Sequence, residues 1–189
     1  MAFFLGILTI IIAVVSYSLY LRDMFKGKTK PHSVTWLVWG LLNSFIFFEQ
    51  INNGAGAGAW VTGAAAVANM LIFALSLKYG EKQITRLDLS CLLAAIAILI
   101  FWVQTADTML AIILACAIFI VGFIPTIIKA WRRSQEETTM TFALNGLKFF
   151  IALFALQSFT IVTALYPVVL MLLNGGFALF LVVRRIAHR

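Results

Sequence analysis

Four asparagines and one lysine carry most of the chemical potential of this chain, because each sits in a stretch that is otherwise apolar. They are Asn43, Asn69, Asn145, Asn174 and Lys148. An amide in hydrocarbon is costly unless it is partnered or faces water, and a charged lysine at mid-depth costs at least about 2.5–3.5 kcal/mol. Thr141, Asn145 and Lys148 fall on one helical face at i, i+4 and i+7. Trp36, Trp39, Gly40, Asn43, Phe47 and Gln50 recur at steps of three and four and form another such face. Amides beside an aromatic platform suit the binding of a polar solute, with hydrogen bonds for its hydroxyls and Trp39 for stacking. Interhelical hydrogen bonding is the competing use of the same amides. Lys148 has three readings: a group that binds an anion, a salt bridge to Glu49, or a side chain that snorkels along a polar face. Asn43 and Lys148 lie roughly 15 Å into their helices and Glu49 about 24 Å, so the pair would need tilt or reach.

Catalysis has no comparable footing. The apolar stretches hold no HExxH, no Ser/His/Asp set and no carboxylate pair, and His32 and His188 lie in polar segments. Cys91 and Cys116 show no metal spacing and read as small packing residues, so neither metal nor cofactor is implied.

The elements that position these groups follow from composition. The 189 residues are 63% hydrophobic and 11% charged, with a mean hydropathy of +1.04. A soluble domain of this size cannot bury that much apolar surface. Seven spans are expected, at 2–21, 33–51, 58–77, 87–103, 108–130, 138–157 and 160–183. The first has no positive leader region and is read as a retained helix, not a signal peptide. Ser16-Tyr17-Ser18-Leu19-Tyr20, near its end, reads as an interfacial tyrosine anchor, with a pore-lining role as the alternative.

The net charge of +7 is distributed by topology and does not suggest nucleic acid. Of the fourteen basic residues, all but Lys148 fall in alternate connections and the C-terminal tail. The positive-inside rule then puts the N-terminus outside and the C-terminus in the cytoplasm, with lipid as an obligate partner. The expected location is the plasma or inner membrane. The sequence leaves the oligomeric state open, a homo-oligomer included.

The chain also repeats itself. Shifted by 106 residues, 18–44 falls on 124–150 without gaps, pairing Ser33 with Thr139, Thr35 with Thr141, Trp36 with Phe142, Trp39 with Asn145 and Gly40 with Gly146. Asn69 meets Asn174 if one residue is dropped. The expected plan is 3+1+3: a first three-helix repeat over 1–86, a connecting helix over 87–107 and a second repeat over 108–189. An odd connector gives both repeats one orientation, with a site at mid-depth between them.

Pro125, Lys129, Trp131, Arg132, Arg133, Ser134 and Thr139-Met140-Thr141-Phe142 together resemble the PQ-loop signature of the SWEET, SemiSWEET and PQ-loop transporter superfamily. Asn174-Gly175 with Pro167 upstream is similar to the family's third-helix pattern. Thr126 stands where the signature has Gln, and Leu19-Tyr20 where the first copy would have Pro-Gln. The resemblance implies alternating-access transport of a sugar or an amino-acid-like or organic-acid-like metabolite. Asn69, Asn174, Asn145, Asn43, Trp39 and Lys148 would contact the solute, and Pro125, Thr126 and Tyr20 would act as hinge or gate. The alternative is a seven-helix receptor or sensor of the same fold that binds without flux. A retinal protein is disfavoured, because the seventh span has no lysine for a Schiff base.

Overall fold

The computed structural model describes residues 1–81 and 84–187. Lys82, His188 and Arg189 lie outside the described residues, and Pro125 enters through its backbone alone. The described residues form seven α-helices: α1 (Ala2–Phe25), α2 (Ser33–Asn52), α3 (Trp60–Tyr79), α4 (Arg86–Thr105), α5 (Thr108–Arg132), α6 (Thr139–Ala155) and α7 (Ile161–Ala187). Single 3-10 turns over Gly56–Ala59 and Ser134–Glu136 precede α3 and α6. Among the described residues there is no strand, only an isolated bridge between His32 and Glu81.

Six helices are long and apolar enough to cross a membrane, and α6 is a shorter apolar helix. Large apolar side chains such as Val67, Leu93, Phe154 and Leu179 stand exposed, as a lipid-facing surface requires.

The helix ends have local causes. A capping box starts α4, with Thr85 and Asp88 exchanging backbone N–H bonds. Asp107 caps α5 by accepting from the Leu110 N–H at 3.0 Å. Between them Ala106 takes a left-handed conformation (φ 53°), which turns the chain sharply and lays α5 against α4. Helix α1 continues past the expected end at residue 21. Its last turn is held by Asp23, which accepts from the Thr138 hydroxyl at 2.8 Å and from Arg22 at 2.9 Å.

The expected span over 138–157 is cut shorter. At 17 residues α6 is roughly 26 Å long, against a hydrocarbon core of about 30 Å. Leu156 leaves the helix in an extended conformation, and the Gln157 N–H bonds the Ala55 carbonyl at 3.1 Å. The α2–α3 connection is shaped to receive this strap. Gly56 has φ +57°, and a Cβ there would come within 2.3 Å of Gln157; one at Gly58 would meet Leu156 at 2.6 Å.

Packing follows a regular order. Helix α3 lies between α1 and α2, and α7 lies between α5 and α6. Helices α1 and α6 share an extensive interface, whereas α2 and α5 touch only slightly and α4 packs on both. Small residues allow the close approaches. A Cβ at Gly6 would lie 2.8 Å from that of Ala57, and one at Gly146 would lie 2.9 Å from the Gly175 nitrogen.

Candidate functional site

Two adjoining spaces lie among α1, α2, α5 and α6, with Leu87 of α4 lining the outer one and side chains of α3 and α7 reaching the inner one. The outer is a vestibule of about 570 Å³ at the basic end of the helices. Its charged lining is Lys30, His32, Lys129, Arg132 and Arg133, set against Glu81, Glu136 and Glu137. The inner is a cavity of about 30 Å³, room for about two waters, and it reaches all four asparagines. Tyr20, Trp36, Trp39 and Phe142 line both and form the constriction between them.

Each amide is placed by its helix, and the four are not equivalent. Asn43 is fully engaged: its Nδ2 donates to the Trp39 carbonyl at 2.7 Å, and its Oδ1 accepts from the Tyr166 hydroxyl at 2.6 Å. Asn145 Oδ1 accepts from Ser16 at 3.0 Å. Asn174 Nδ2 donates to the Leu170 carbonyl at 2.9 Å. Asn69 takes no protein partner among the described residues and faces the cavity. Asn69, Asn145 and Asn174 thus retain hydrogen-bonding capacity, and Asn43 mainly ties α2 to α7.

Trp39 is stacked on the rings of Phe119 (5.2 Å, 10°) and Phe123 (5.7 Å, 25°), both from α5. Its indole N–H is buried without a partner. As a platform it is already partly used by the protein itself.

Lys148 does not line the cavity wall. Its side chain is fully buried, its Nζ lies 4.1 Å from the centre of the Tyr17 ring and 5.3 Å from that of Phe149, and it has no hydrogen-bond partner. Such ring contacts give about 2 kcal/mol to a desolvated cation, less than the several kcal/mol that burial of an ion costs. The expected alternative of a Lys148–Glu49 salt bridge is not what forms. Glu49 is turned to the start of α5, where its Oε2 accepts from Thr108 at 2.7 Å. Snorkelling is also overturned, because the lysine has no exposed surface.

The gate residues divide. Tyr20 sits in the constriction, 4.9 Å from the Trp36 ring, and Thr126 lines the vestibule. Helix α5 runs through the Pro125 backbone and on to Arg132.

Tyr17 and Tyr20 correct the expected interfacial anchor, since both turn inward and are buried. Tyr166 and Phe119, which the sequence pattern does not single out, complete the site together with Ser16. Ser16 ties α1 to α6. Its hydroxyl donates to the Thr141 carbonyl at 3.1 Å while the Thr141 hydroxyl donates to the Ser16 carbonyl at 3.3 Å. A lone serine in an apolar run signals such a tie, but does not name the partner helix.

The far end of the assembly is tied shut. Gln50 donates to the Thr163 carbonyl at 2.9 Å, and the α2–α3 and α6–α7 connections close over one another. At the basic end, Lys129 pairs with Glu137 at 3.0 Å. Burial nonetheless raises the Glu137 carboxyl above its ordinary range, with Lys129 opposing. Arg185 donates to the Ser134 and Glu137 carbonyls, tying α7 to the loop before α6. Among the described residues, no three of His, Cys, Asp and Glu gather as metal ligands.

No protein-family model, curated protein or solved structure matches this chain.

Proposed function

We propose that this chain is a membrane transporter that moves a small polar solute by alternating access between two three-helix units. In this reading the units are α1–α3 and α5–α7 with α4 as connector, the N-terminus is outside, and the vestibule faces the cytoplasm. One observation carries the proposal: a vestibule narrows through four aromatic side chains into an amide-lined cavity whose far end is closed. Such a one-sided path to mid-depth is what one state of an alternating-access cycle requires. The helix order α1–α3–α2 and α5–α7–α6 supports two equivalent units, with α4 inserted where α2 and α5 would otherwise meet.

The inner cavity is too small for a solute in this conformation, so binding entails separation of the constriction rings. Tyr20 and Trp36 from the first unit then part from Phe142 of the second. Asn69, Asn145 and Asn174 supply the hydrogen bonds. The test is uptake of labelled sugars, amino acids and organic acids into proteoliposomes, comparing wild type with Asn69→Ala and Asn174→Ala. Transport of at least one solute, reduced about tenfold or more in both variants, is the expected result. Uptake unchanged in both would sink the site, and saturable binding with no flux of any solute would make the protein a receptor.

A further inference from the structure

We propose that the solute of this site is an organic anion bearing a carboxylate, and that Lys148 is its counter-ion. The inference rests on the transport-site reading above and adds the charge of the ligand to it. Four observations converge. Lys148 is fully buried and its Nζ has no hydrogen-bond partner. The two rings that flank Nζ, Tyr17 and Phe149, are themselves part of the inner cavity wall. Among the described residues that wall contains no charged side chain of either sign, so nothing in the cavity would pair with a charged Lys148. The carboxylates nearest along the helices are committed elsewhere, Glu49 to Thr108 and Glu137 to Lys129.

A buried cation without a partner is costly, and the cost is relieved by whatever brings the missing charge. Here the lysine stands one aromatic ring behind the cavity, on a flexible four-carbon stem. Displacement of the Tyr17 ring, whose centre lies 4.1 Å from Nζ, would open a path from the lysine to the cavity. The approach is matched to the same charge. Lys129 and Arg133 of the vestibule have acidic partners; Arg132 and Lys30 form no ion pair among the described residues and stand against one unpaired carboxylate, Glu81, so the lining keeps an excess of one positive charge. Asn69, whose amide is free, and Asn174 then read the uncharged part of the molecule.

The experiment uses the purified full chain and two matched pairs of probes: succinate with dimethyl succinate, and glutamate with glutamine. Binding is read by calorimetry and by thermal stabilisation. The anionic member of at least one pair is expected to bind about tenfold or more tightly than its neutral partner. Lys148→Met is expected to remain folded and to lose that preference. Neutral members binding as tightly as the anions, no binding of either anion, or a preference that survives in Lys148→Met would each overturn the proposal. If Lys148→Met does not fold, the paired comparison in the wild type decides alone. Flux is scored separately in proteoliposomes. Anion binding without flux upholds the counter-ion and overturns the transport reading; Lys148-independent flux of a neutral solute does the reverse.

Discussion

The two halves of the molecule share a helix order but not a chemistry. Positions one repeat apart show where the likeness stops. Gly40 on α2 and Gly146 on α6 correspond, and each lets its helix approach the next one. A Cβ at Gly40 would meet only the flexible end of Met70, with Sδ at 2.9 Å. A Cβ at Gly146 would meet backbone, the Gly175 nitrogen at 2.9 Å and its Cα at 3.0 Å. The second half is therefore the more tightly keyed. At the cavity the halves exchange roles. Trp39 and Asn43 of α2 correspond to Asn145 and Phe149 of α6, so each helix offers one ring and one amide in opposite order. Between these positions Leu42 corresponds to Lys148, and both are fully buried. The lysine occupies a packing position that the first half gives to a leucine. A polar group there is not needed for the fold, which is the strongest reason to look for its use in function.

Four substitutions test how deep this asymmetry runs. The largest effect is expected at the glycines. Gly146→Ala forces α6 off α7 and should destabilise by about 2 kcal/mol in detergent unfolding, the usual cost of overpacking. Gly40→Ala should change stability by less than about 0.5 kcal/mol, because Met70 yields and alanine favours the helix. Equal losses at both would mean that the two interfaces are equally rigid. Next, Lys148→Leu installs the residue found at the corresponding position. It should stabilise by about 1.5 kcal/mol by removing an unpaired buried polar group, while abolishing anion binding. A destabilised Lys148→Leu would indicate that the lysine is structural after all. A smaller effect is expected for Tyr166→Phe, which leaves the Asn43 oxygen without its 2.6 Å donor and should cost about 1 kcal/mol. Loss of solute binding there with no change in stability would put Asn43 among the ligands, not among the ties.

These pairs also explain what was legible in the sequence. The all-helical membrane character and all seven helices follow from apolar length and charge spacing, and most of their ends were placed within two residues. The largest misses lie at the basic ends of α1 and α7, where charged residues stay helical beyond the apolar run. The asparagines were legible because amides are rare in apolar spans, and all four reach one cavity. Their individual states were not legible. The engagement of the Asn43 oxygen depends on Tyr166, more than 120 residues away in the chain, which no local pattern reveals. Tyr17 was misread for the same reason. An interfacial tyrosine and a buried one look alike until the neighbouring helix is known, here α6 with Thr141 and Lys148. The α6 strap at Leu156–Gln157 depends on glycines in a different connection.

The last difference between the halves concerns protons. Glu137, just before α6, corresponds to Pro31, just before α2, so only the second half carries a buried carboxyl at this turn. Burial raises the Glu137 carboxyl above its ordinary range, and the neighbouring Glu136 adds to this. Lys129 of α5, at 3.0 Å, and Arg185 of α7 oppose it without cancelling the rise. A carboxyl that holds its proton more tightly in the folded chain than in the unfolded one makes folding more favourable as pH falls through the folded value. The gain levels off below the ordinary glutamate pKa of about 4.3. Glu137→Gln removes this dependence while preserving shape. Wild type should therefore gain stability relative to Glu137→Gln between neutral pH and about pH 4.5, by less than about 1 kcal/mol. Parallel thermal unfolding curves across that range read the difference directly. A wild type that instead loses ground on acidification would show that the Lys129 pair, and not burial, governs this turn.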